Sequence, residues 1–460
     1  MQDGPKRKIH FVGIGGSGMS GIAEILLNLG HEVSGSDLAR SEAVARLESL
    51  GAKIFTGHAA DNIGEAEVVV VSSAVSRENP EVVAARARKA PVIPRAEMLG
   101  ELLRMRDGIA VAGAHGKTTT STLIATIFGE AGLDPTVIIG GRVKRFGSGA
   151  KLGKGRYIVA EADESDGSFL TLNPTVAVVT NIDAEHLDYY GTKEKIEEAF
   201  FTFCNKVPFF GATIACGDDP VLRSFIPRMN KRFITYGFSK ACDLMAHDYA
   251  VMDGVGSSFT VSDKDGELGR TELHIPGRHN ALNALAAIQT ALFLGIDFAT
   301  ASAALKKFSG IGRRSEHKGE KGGVTVMDDY GHHPTEIRAT ISAIRDGNKG
   351  RRLVTLFQPH RYTRTRDCLR EFHMAFRDTD VLLLGPIYPA GEKPIEGVSS
   401  GLIYDGITVP ERRNVVLLAK MDDAQKWLRA NLAKGDILLT MGAGDVYKQG
   451  EKFLEDERED

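Results

Sequence analysis

The sequence predicts an α/β protein of three domains, and two observations carry that prediction. Short apolar runs alternate with helix-period segments in three successive blocks, the rhythm of βαβ units around parallel sheets. At 460 residues the chain is also too long for one hydrophobic core. In the first block, residues 7–95, the runs Ile9–Val12, Glu32–Gly35, Lys53–Phe55, Val68–Val71 and Val92–Ile93 suit strands. Between them, Met19–Leu29, Glu42–Leu50 and Pro80–Lys89 suit helices, and Pro91 and Pro94 punctuate the end. The second block opens near residue 108 with the apolar run Ile109–Ala112 and a helix running to Glu130, then strands at Tyr157–Ala160, Val176–Thr180 and Thr213–Cys216. Between 242 and 276 the pattern shifts to short runs such as Ser258–Val261 and Thr271–Ile275, with Asp-Gly pairs at 253–254 and 265–266. A small antiparallel insert is expected there. The helical segment Asn280–Leu294 follows, and residues 309–323, rich in Gly, Lys and Arg, read as a linker. The third block offers strands at Val324–Met327, Leu353–Phe357, Val381–Leu384, Val415–Leu417 and Ile437–Thr440.

Composition narrows the class. With 42% hydrophobic and 25% charged residues, this is the make-up of a globular domain protein. A net charge of −3 supplies no attraction for nucleic acid or anionic membrane, so neither is an expected partner. The cysteines Cys204, Cys216, Cys242 and Cys368 lie far apart, without the spacing of a zinc site or a disulfide framework. That suits a reducing cytoplasm. No apolar run reaches the length of a membrane span, so membrane insertion is not expected, and monomer and homodimer both stay open.

The residues able to carry chemistry sit where strands end. Gly113-Ala114-His115-Gly116 turns the chain after Ile109–Ala112, and Lys117-Thr118-Thr119 opens the next helix. Small residues let backbone N–H groups converge on an anion at a helix N-terminus. Lys117 can reach the terminal phosphates of a nucleoside triphosphate, and the Thr118 hydroxyl can ligate Mg²⁺. The strict P-loop has glycine where Val111 stands, and an ordinary helix start is the alternative. Gly13-Ile14-Gly15-Gly16-Ser17-Gly18 follows the first strand in G-x-G-x-x-G order, with Asp37 closing the next strand, as in a Rossmann dinucleotide site. Such a loop specifies a pyrophosphate, not the molecule carrying it.

Glu161 ends the strand Tyr157–Ala160 within an acidic run, where a carboxylate beside a P-loop would hold Mg²⁺. His186, past the strand Val176–Thr180, suits a second divalent cation. His279, Asn280 and Asn283 begin a helix; their side chains can read a purine edge, or Asn280 can simply cap the helix. Arg313-Arg314 lies in the linker, and Asp328-Asp329-Tyr330-Gly331-His332-His333 ends the first strand of the third block. His360, Arg361 and Arg364 form an anion clamp or a basic solvated face. A zinc-hydrolase reading of His332-His333-Pro334-Thr335-Glu336 fails, because Ile337 breaks H-x-x-E-H and Pro334 disfavours a continuous helix.

Together the motifs resemble the Mur ligase family over nearly the whole chain. The resemblance rests on GIGGSGMSGIA from Gly13, GAHGKTTT from Gly113, EADESD from Glu161, NIDAEHLDYYG from Asn181 and GRHNALNALAA from Gly277. DDYGHHPTE from Asp328 and FQPHRYTRT from Phe357 are similar to the alanine-adding branch. The family implies a Rossmann-like UDP-sugar domain over 1–98, a central P-loop ATPase domain over 99–311, and a Rossmann-like domain over 312–460 that closes over the site. By resemblance the reaction is ATP-driven amide formation in peptidoglycan precursor synthesis, joining L-alanine to the lactyl carboxylate of UDP-N-acetylmuramate.

Carried over position by position, Gly113, His115, Gly116, Lys117, Thr118 and Thr119 cradle ATP, with Lys117 on the γ-phosphate. Thr118 and Glu161 hold one Mg²⁺, and Glu161 with His186 a second. His279 and Asn280 meet adenine, with Asn283 beside them; Arg314 reaches the phosphates; Asp328 or Asp329 touches the ribose. Tyr330, His332, His360, Arg361 and Arg364 form the alanine end, and His332 and His360 are the candidate bases. Gly15, Gly16, Ser17, Gly18, Ser36, Asp37, His58, Ser72 and Ser73 bind UDP. Ser315 stands where the family usually has an aromatic, and Phe201 lies near the spacing at which sister enzymes carry a carbamoylated lysine, so no carbamate is expected. The rivals are a ligase that attaches a murein tripeptide, a nicotinamide-dependent oxidoreductase built on the Gly13–Gly18 loop, and a P-loop regulator without turnover.

Overall fold

Central strands buried along nearly their whole length, Lys8–Val12, Asp107–Ala112 and Ile437–Met441, organise the described residues into three sheets. The computed structural model describes residues 5–72, 74–140, 150–252, 256–308, 310–407 and 414–455. The chain divides into two compact units, one of Met1–His247, Thr260–Thr271 and Leu282–Phe308, the other of Asp248–Phe259, Glu272–Ala281 and Ser309–Asp460.

In the first unit, a five-stranded parallel sheet runs Lys53–Thr56, Glu32–Asp37, Lys8–Val12, Val68–Val71, Val92–Pro94. The order reverses beside Lys8–Val12, so the carboxyl ends of that strand and of Val68–Val71 frame the crevice where such sheets bind ligands. The glycine loop and Ser72 both lie there: a Cβ on Gly13 would stand 3.0 Å from Ser72 Oγ. The helix Ser17–Asn28 leaves this loop with no side-chain cap on its first N–H groups.

The second sheet has ten strands, with Asp107–Ala112 at its centre between the parallel neighbours Val176–Val179 and Tyr157–Glu161. Ala212–Cys216 and Phe233–Gly237 extend it in parallel, and Leu244–Met252, Gly256–Asp263 and Gly266–Leu273 are its last three strands in reverse chain order. The three carboxyl-end loops after the central strands are the ones that bear Lys117, Glu161 and His186. A helix not read from the sequence, Arg95–Arg104, precedes this sheet. Its buried Met98, Leu99, Leu102 and Leu103 have helical spacing, but Pro94 masked it; proline is tolerated there because it ends a strand and caps the helix.

The six-stranded sheet of the second unit runs Glu316–Lys321, Val324–Asp329, Ile437–Met441, Leu353–Phe357, Val381–Leu384, Val415–Leu417. Residues 316–321 are therefore not linker but an edge strand, paired antiparallel with Val324–Asp329. Gly322 and Gly323, at φ 56° and 73°, make the two-residue turn that matches strand twist. The Lys- and Glu-rich composition of an edge strand concealed it. Ile437–Met441 is the central strand; Ile437, Leu439 and Met441 enter one buried cluster and Leu438 the other. Leu439→Ala is expected to cost about 2–5 kcal/mol. Leu417→Ala, on a side chain 46% exposed, is expected to stay within about 0.5 kcal/mol. Urea unfolding of the two variants checks both.

Candidate active site

The loop after Asp107–Ala112 is held open by its glycines and by a neighbouring loop. Gly113 and Gly116 have φ of +131° and +85°, and a Cβ would stand 2.1 Å from Thr180 Oγ1 or 2.5 Å from Asn283 Oδ1 respectively. Ala114 N donates to Asn181 O (3.1 Å), His115 N to Asn181 Oδ1 (2.9 Å), and Thr180 Oγ1 to His115 O (2.6 Å). His115 Nε2 lies 3.2 Å from Asp183 Oδ2, and Thr120 Oγ1 donates to Asn283 Oδ1 at 3.2 Å. The helix Lys117–Glu130 starts here with no side-chain cap, leaving an anion-receptive N-terminus.

Lys117 folds back over this loop. Its ammonium donates to both oxygens of Glu164, at 2.7 and 2.8 Å, and to Gly113 O at 2.6 Å. Burial opposes the charge on Lys117, but Glu164 more than restores it, so the amine stays protonated. Burial also drives the Glu164 carboxyl up, to about 7, against the pull of Lys117. An arriving polyanion competes with Glu164 for the same ammonium. Tyr190 Oη anchors the Glu164 carbonyl at 2.6 Å.

Glu164 also belongs to a cation-type cluster. One ligand atom each from Glu164, Glu185 and His186 lie within 4.8 Å of one another, with His186 Nε2 3.9 Å from Glu164 Oε1 and 3.7 Å from Glu185 Oε2. Two carboxylates and an imidazole suit a divalent cation. His186 reaches the cluster from a left-handed backbone, φ +57°. Glu161 ends its strand outside this trio, and Thr118 is buried in the first turn of the helix.

In the first sheet, Asp37 Oδ2 accepts Gly15 N at 2.8 Å and Asp37 Oδ1 accepts Ala39 N at 3.2 Å, so this carboxylate braces the glycine loop. Ser36 is fully buried and gives its hydroxyl to Glu81 (2.6 Å), with His58 Nδ1 3.0 Å away. Ser73 lies outside the described residues, and Gly16 caps the helix that begins at Ser17.

In the second unit, the two linker arginines separate in role. Arg313 is locked: it donates to Asp328 Oδ2 (3.0 Å), Gly444 O (3.0 Å) and Gly442 O (2.5 Å) and stacks on Tyr330 and Tyr447. Arg314 lies over Tyr330, 3.8 Å from Glu336 Oε1. The Ser315 backbone N–H donates to Asp329 Oδ2 at 2.7 Å, with its hydroxyl 3.4 Å from the same oxygen. Asp329 also accepts Gly331 N at 2.7 Å, and burial pushes its carboxyl up to about 6. Asp328 is bound by Thr440 Oγ1 (2.7 Å) as well as Arg313, so both aspartates are structural braces in this conformation. His279 and Asn280 lie in the first turn of the helix Arg278–Phe293, and Asn280 Nδ2 donates back to Pro276 O at 2.7 Å, which is not a cap, since a cap accepts a first-turn N–H.

Two histidines take opposite tautomers. His332 Nδ1 lies 3.1 Å from the Tyr330 carbonyl, which can only accept, so the neutral ring keeps a lone pair on Nε2. His360 Nδ1 lies 3.2 Å from Arg364 Nη1, which can only donate, so its proton sits on Nε2. Burial, with Arg364 nearby, lowers His332 to about 3 and His360 to about 4. Their rings are 5.5 Å apart, and His360 stacks on Tyr388. Arg361, at φ +70°, is exposed. The His332–Glu336 segment is a helix start: Glu336 accepts His332 N and His333 N, and Pro334 opens the helix Pro334–Gly347.

Three family models match the chain in order: Mur ligase family, catalytic domain, at residues 8–107; Mur ligase middle domain at 111–291; and Mur ligase, glutamate ligase domain, at 313–444. The chain belongs to the Mur ligase family. It is 54% identical to the UDP-N-acetylmuramate–L-alanine ligase of Geobacter sp. (strain M21), over 98% of both chains, and 53% identical to that of Trichlorobacter lovleyi, over 97% and 98%. Among solved structures it is similar to the UDP-N-acetylmuramate–alanine ligase of Thermotoga maritima, with TM-score 0.83, 28% identity and 98% of each chain covered. A murein peptide ligase of Psychrobacter arcticus gives TM-score 0.71, 27% identity and coverage of 97% and 98%.

For this Mur ligase, sequence reasoning missed Glu164, Glu185, Asn181 and Glu81 as site-shaping residues. The first three lie inside quoted motifs, so a signal existed; Glu81, in an ordinary helix start, offered none. Ser36, read from the sequence as a UDP contact, is fully buried with its hydroxyl already donated to Glu81.

Glu164→Gln is expected to destabilise the ligand-free ligase by about 1–3 kcal/mol, below the full cost of breaking a buried pair because carbonyls still hold Lys117. Thermal unfolding with and without ATP should show a lower ligand-free midpoint and a larger ATP-induced rise. His332 and His360 bind protons near 6.5 when unfolded but only near 3 and 4 when folded. The stability they contribute is complete above that window and is lost as pH falls through it. Imidazole NMR shifts of both rings should accordingly stay flat from pH 8 to about 5.

Proposed function

We propose that this chain joins L-alanine to the lactyl carboxylate of UDP-N-acetylmuramate at the expense of ATP. The observation that carries the reading is full-length similarity to alanine ligases together with a lysine-bearing anion loop set beside a carboxylate–histidine cluster. We assign UDP-sugar binding to residues 1–98, ATP binding to 99–311 and amino-acid binding to 312–460.

The lactyl carboxylate oxygen attacks the γ-phosphorus and ADP leaves, giving an acyl phosphate. The amine of alanine then attacks the acyl carbon, loses a proton, and inorganic phosphate departs. Lys117 and Arg314 neutralise charge on the transferring phosphoryl group, and the Gly113–Gly116 N–H groups align it. Thr118, Glu161 and His186, with Glu164 and Glu185 near His186, would hold Mg²⁺, two ions by family resemblance, and the bound cation would add charge neutralisation. His332 is the better placed proton acceptor, since its Nε2 lone pair is available whereas the Nδ1 lone pair of His360 is taken by Arg364. Arg361 and Arg364 suit the carboxylate of the amino acid.

The test is phosphate release with ATP, Mg²⁺, UDP-N-acetylmuramate and single amino acids. Alanine-dependent release is expected; release only with a tripeptide would assign the chain to the peptide-adding branch and overturn this reading. Lys117→Met should lower kcat by ~10²–10³.

A further inference from the structure

A buried carboxylate stands behind the sugar-nucleotide crevice. Glu81, at the start of the helix Pro80–Ala87, is fully buried. Its Oε2 accepts Ser36 Oγ at 2.6 Å and lies 3.3 Å from His58 Nδ1 and 3.8 Å from His10 Nε2. Its Oε1 accepts Asn62 Nδ2 at 2.5 Å and Ala59 N at 3.4 Å. Burial opposes its ionisation, but contacts with His10, Ser36 and Asn62 more than offset that and hold the carboxyl at about 2. It is therefore an acceptor only.

The protons can then be assigned. Ser36 has one hydroxyl hydrogen, and it goes to Glu81. Its oxygen, 3.0 Å from His58 Nδ1, is left to accept, as is Glu81 Oε2. Both neighbours of Nδ1 are acceptors, so Nδ1 carries the hydrogen, and a neutral His58 has its lone pair on Nε2. Among the described residues none bonds Nε2, and the side chain is 19% exposed. The arrangement is no hydrolytic triad, because serine and carboxylate meet the same ring nitrogen.

We infer that Glu81 is a positioning residue that fixes the His58 tautomer, so that Nε2 offers the sugar nucleotide a hydrogen-bond acceptor. The group it receives is a donor: the imide N–H of a uracil-type base or the ribose 2′-hydroxyl. An imide partner would also discriminate against cytosine, which presents a lone pair at that position. This rests on the assignment of UDP-sugar binding to this domain.

The test uses the full chain. Two-dimensional ¹H–¹⁵N spectra of histidine-labelled protein should show His58 protonated on Nδ1, and Glu81→Gln should move the proton towards Nε2, because the amide can donate to Nδ1. In turnover, Glu81→Gln should raise KM for UDP-N-acetylmuramate roughly 10-fold and leave kcat and the KM values for ATP and alanine unchanged. By calorimetry, UDP should lose affinity when N3-methylated or when 2′-deoxygenated, the first result naming the imide and the second a hydroxyl. For that analogue Glu81→Gln should add no further loss. His58 protonated on Nε2 in the unaltered protein, or full affinity for both analogues, would overturn the inference, and the first decides even if Glu81→Gln does not fold. Failure of the unaltered protein to bind UDP would instead overturn the domain assignment, while the spectra still decide the tautomer.

Discussion

A carboxylate withdrawn from water must be surrounded by hydrogen-bond donors, and whatever supplies those donors is thereby held in place. Glu164 takes the Lys117 ammonium in both oxygens, and this one pair keeps a flexible four-carbon side chain directly over the anion loop. The Lys117 charge at the loop is thereby compensated by Glu164. The tie is exchangeable, because a phosphate offers Lys117 the same kind of partner and burial already works against Glu164 remaining charged.

The same constraint recurs at two other places in the chain. Glu81 gathers Ser36, His58 and Asn62 behind the glycine-loop crevice, and Asp329 gathers the N–H groups of Ser315 and Gly331 before the Tyr330–His332 turn. In each case the carboxylate is buried and the donors around it are held in place. Arginine obeys the complementary rule: Arg313 has its donors satisfied by Asp328 and two carbonyls, whereas the adjacent Arg314 keeps its guanidinium over a ring.

Much of the fold was legible because a parallel strand buried on both faces is written as a continuous apolar run. Val68–Val71, Leu353–Phe357 and Val381–Leu384 fall where the pattern puts them, as does the partly exposed edge run Val415–Leu417. Glu316–Lys321 escaped because an edge strand has no such run, and Arg95–Arg104 because Pro94 looks like an ending when it is also a permitted beginning. In the sites, loops at strand ends announced Lys117, His186 and the Asp328–His333 turn. No local pattern marks a glutamate whose partners lie 19 to 45 residues away, as those of Glu81 do.

Sequence alone therefore determined the family, the three α/β blocks and the loops in which chemistry sits, since these depend on local periodicity and on short motifs whose residues act together. Tertiary structure decided which charges are spent on one another, which ring nitrogen carries the proton in His58, His332 and His360, and that Ser36 and Asp328 serve as supports. Those properties depend on distances between segments remote in the chain, and a proton moves to the other side of a ring when a single neighbour changes from acceptor to donor.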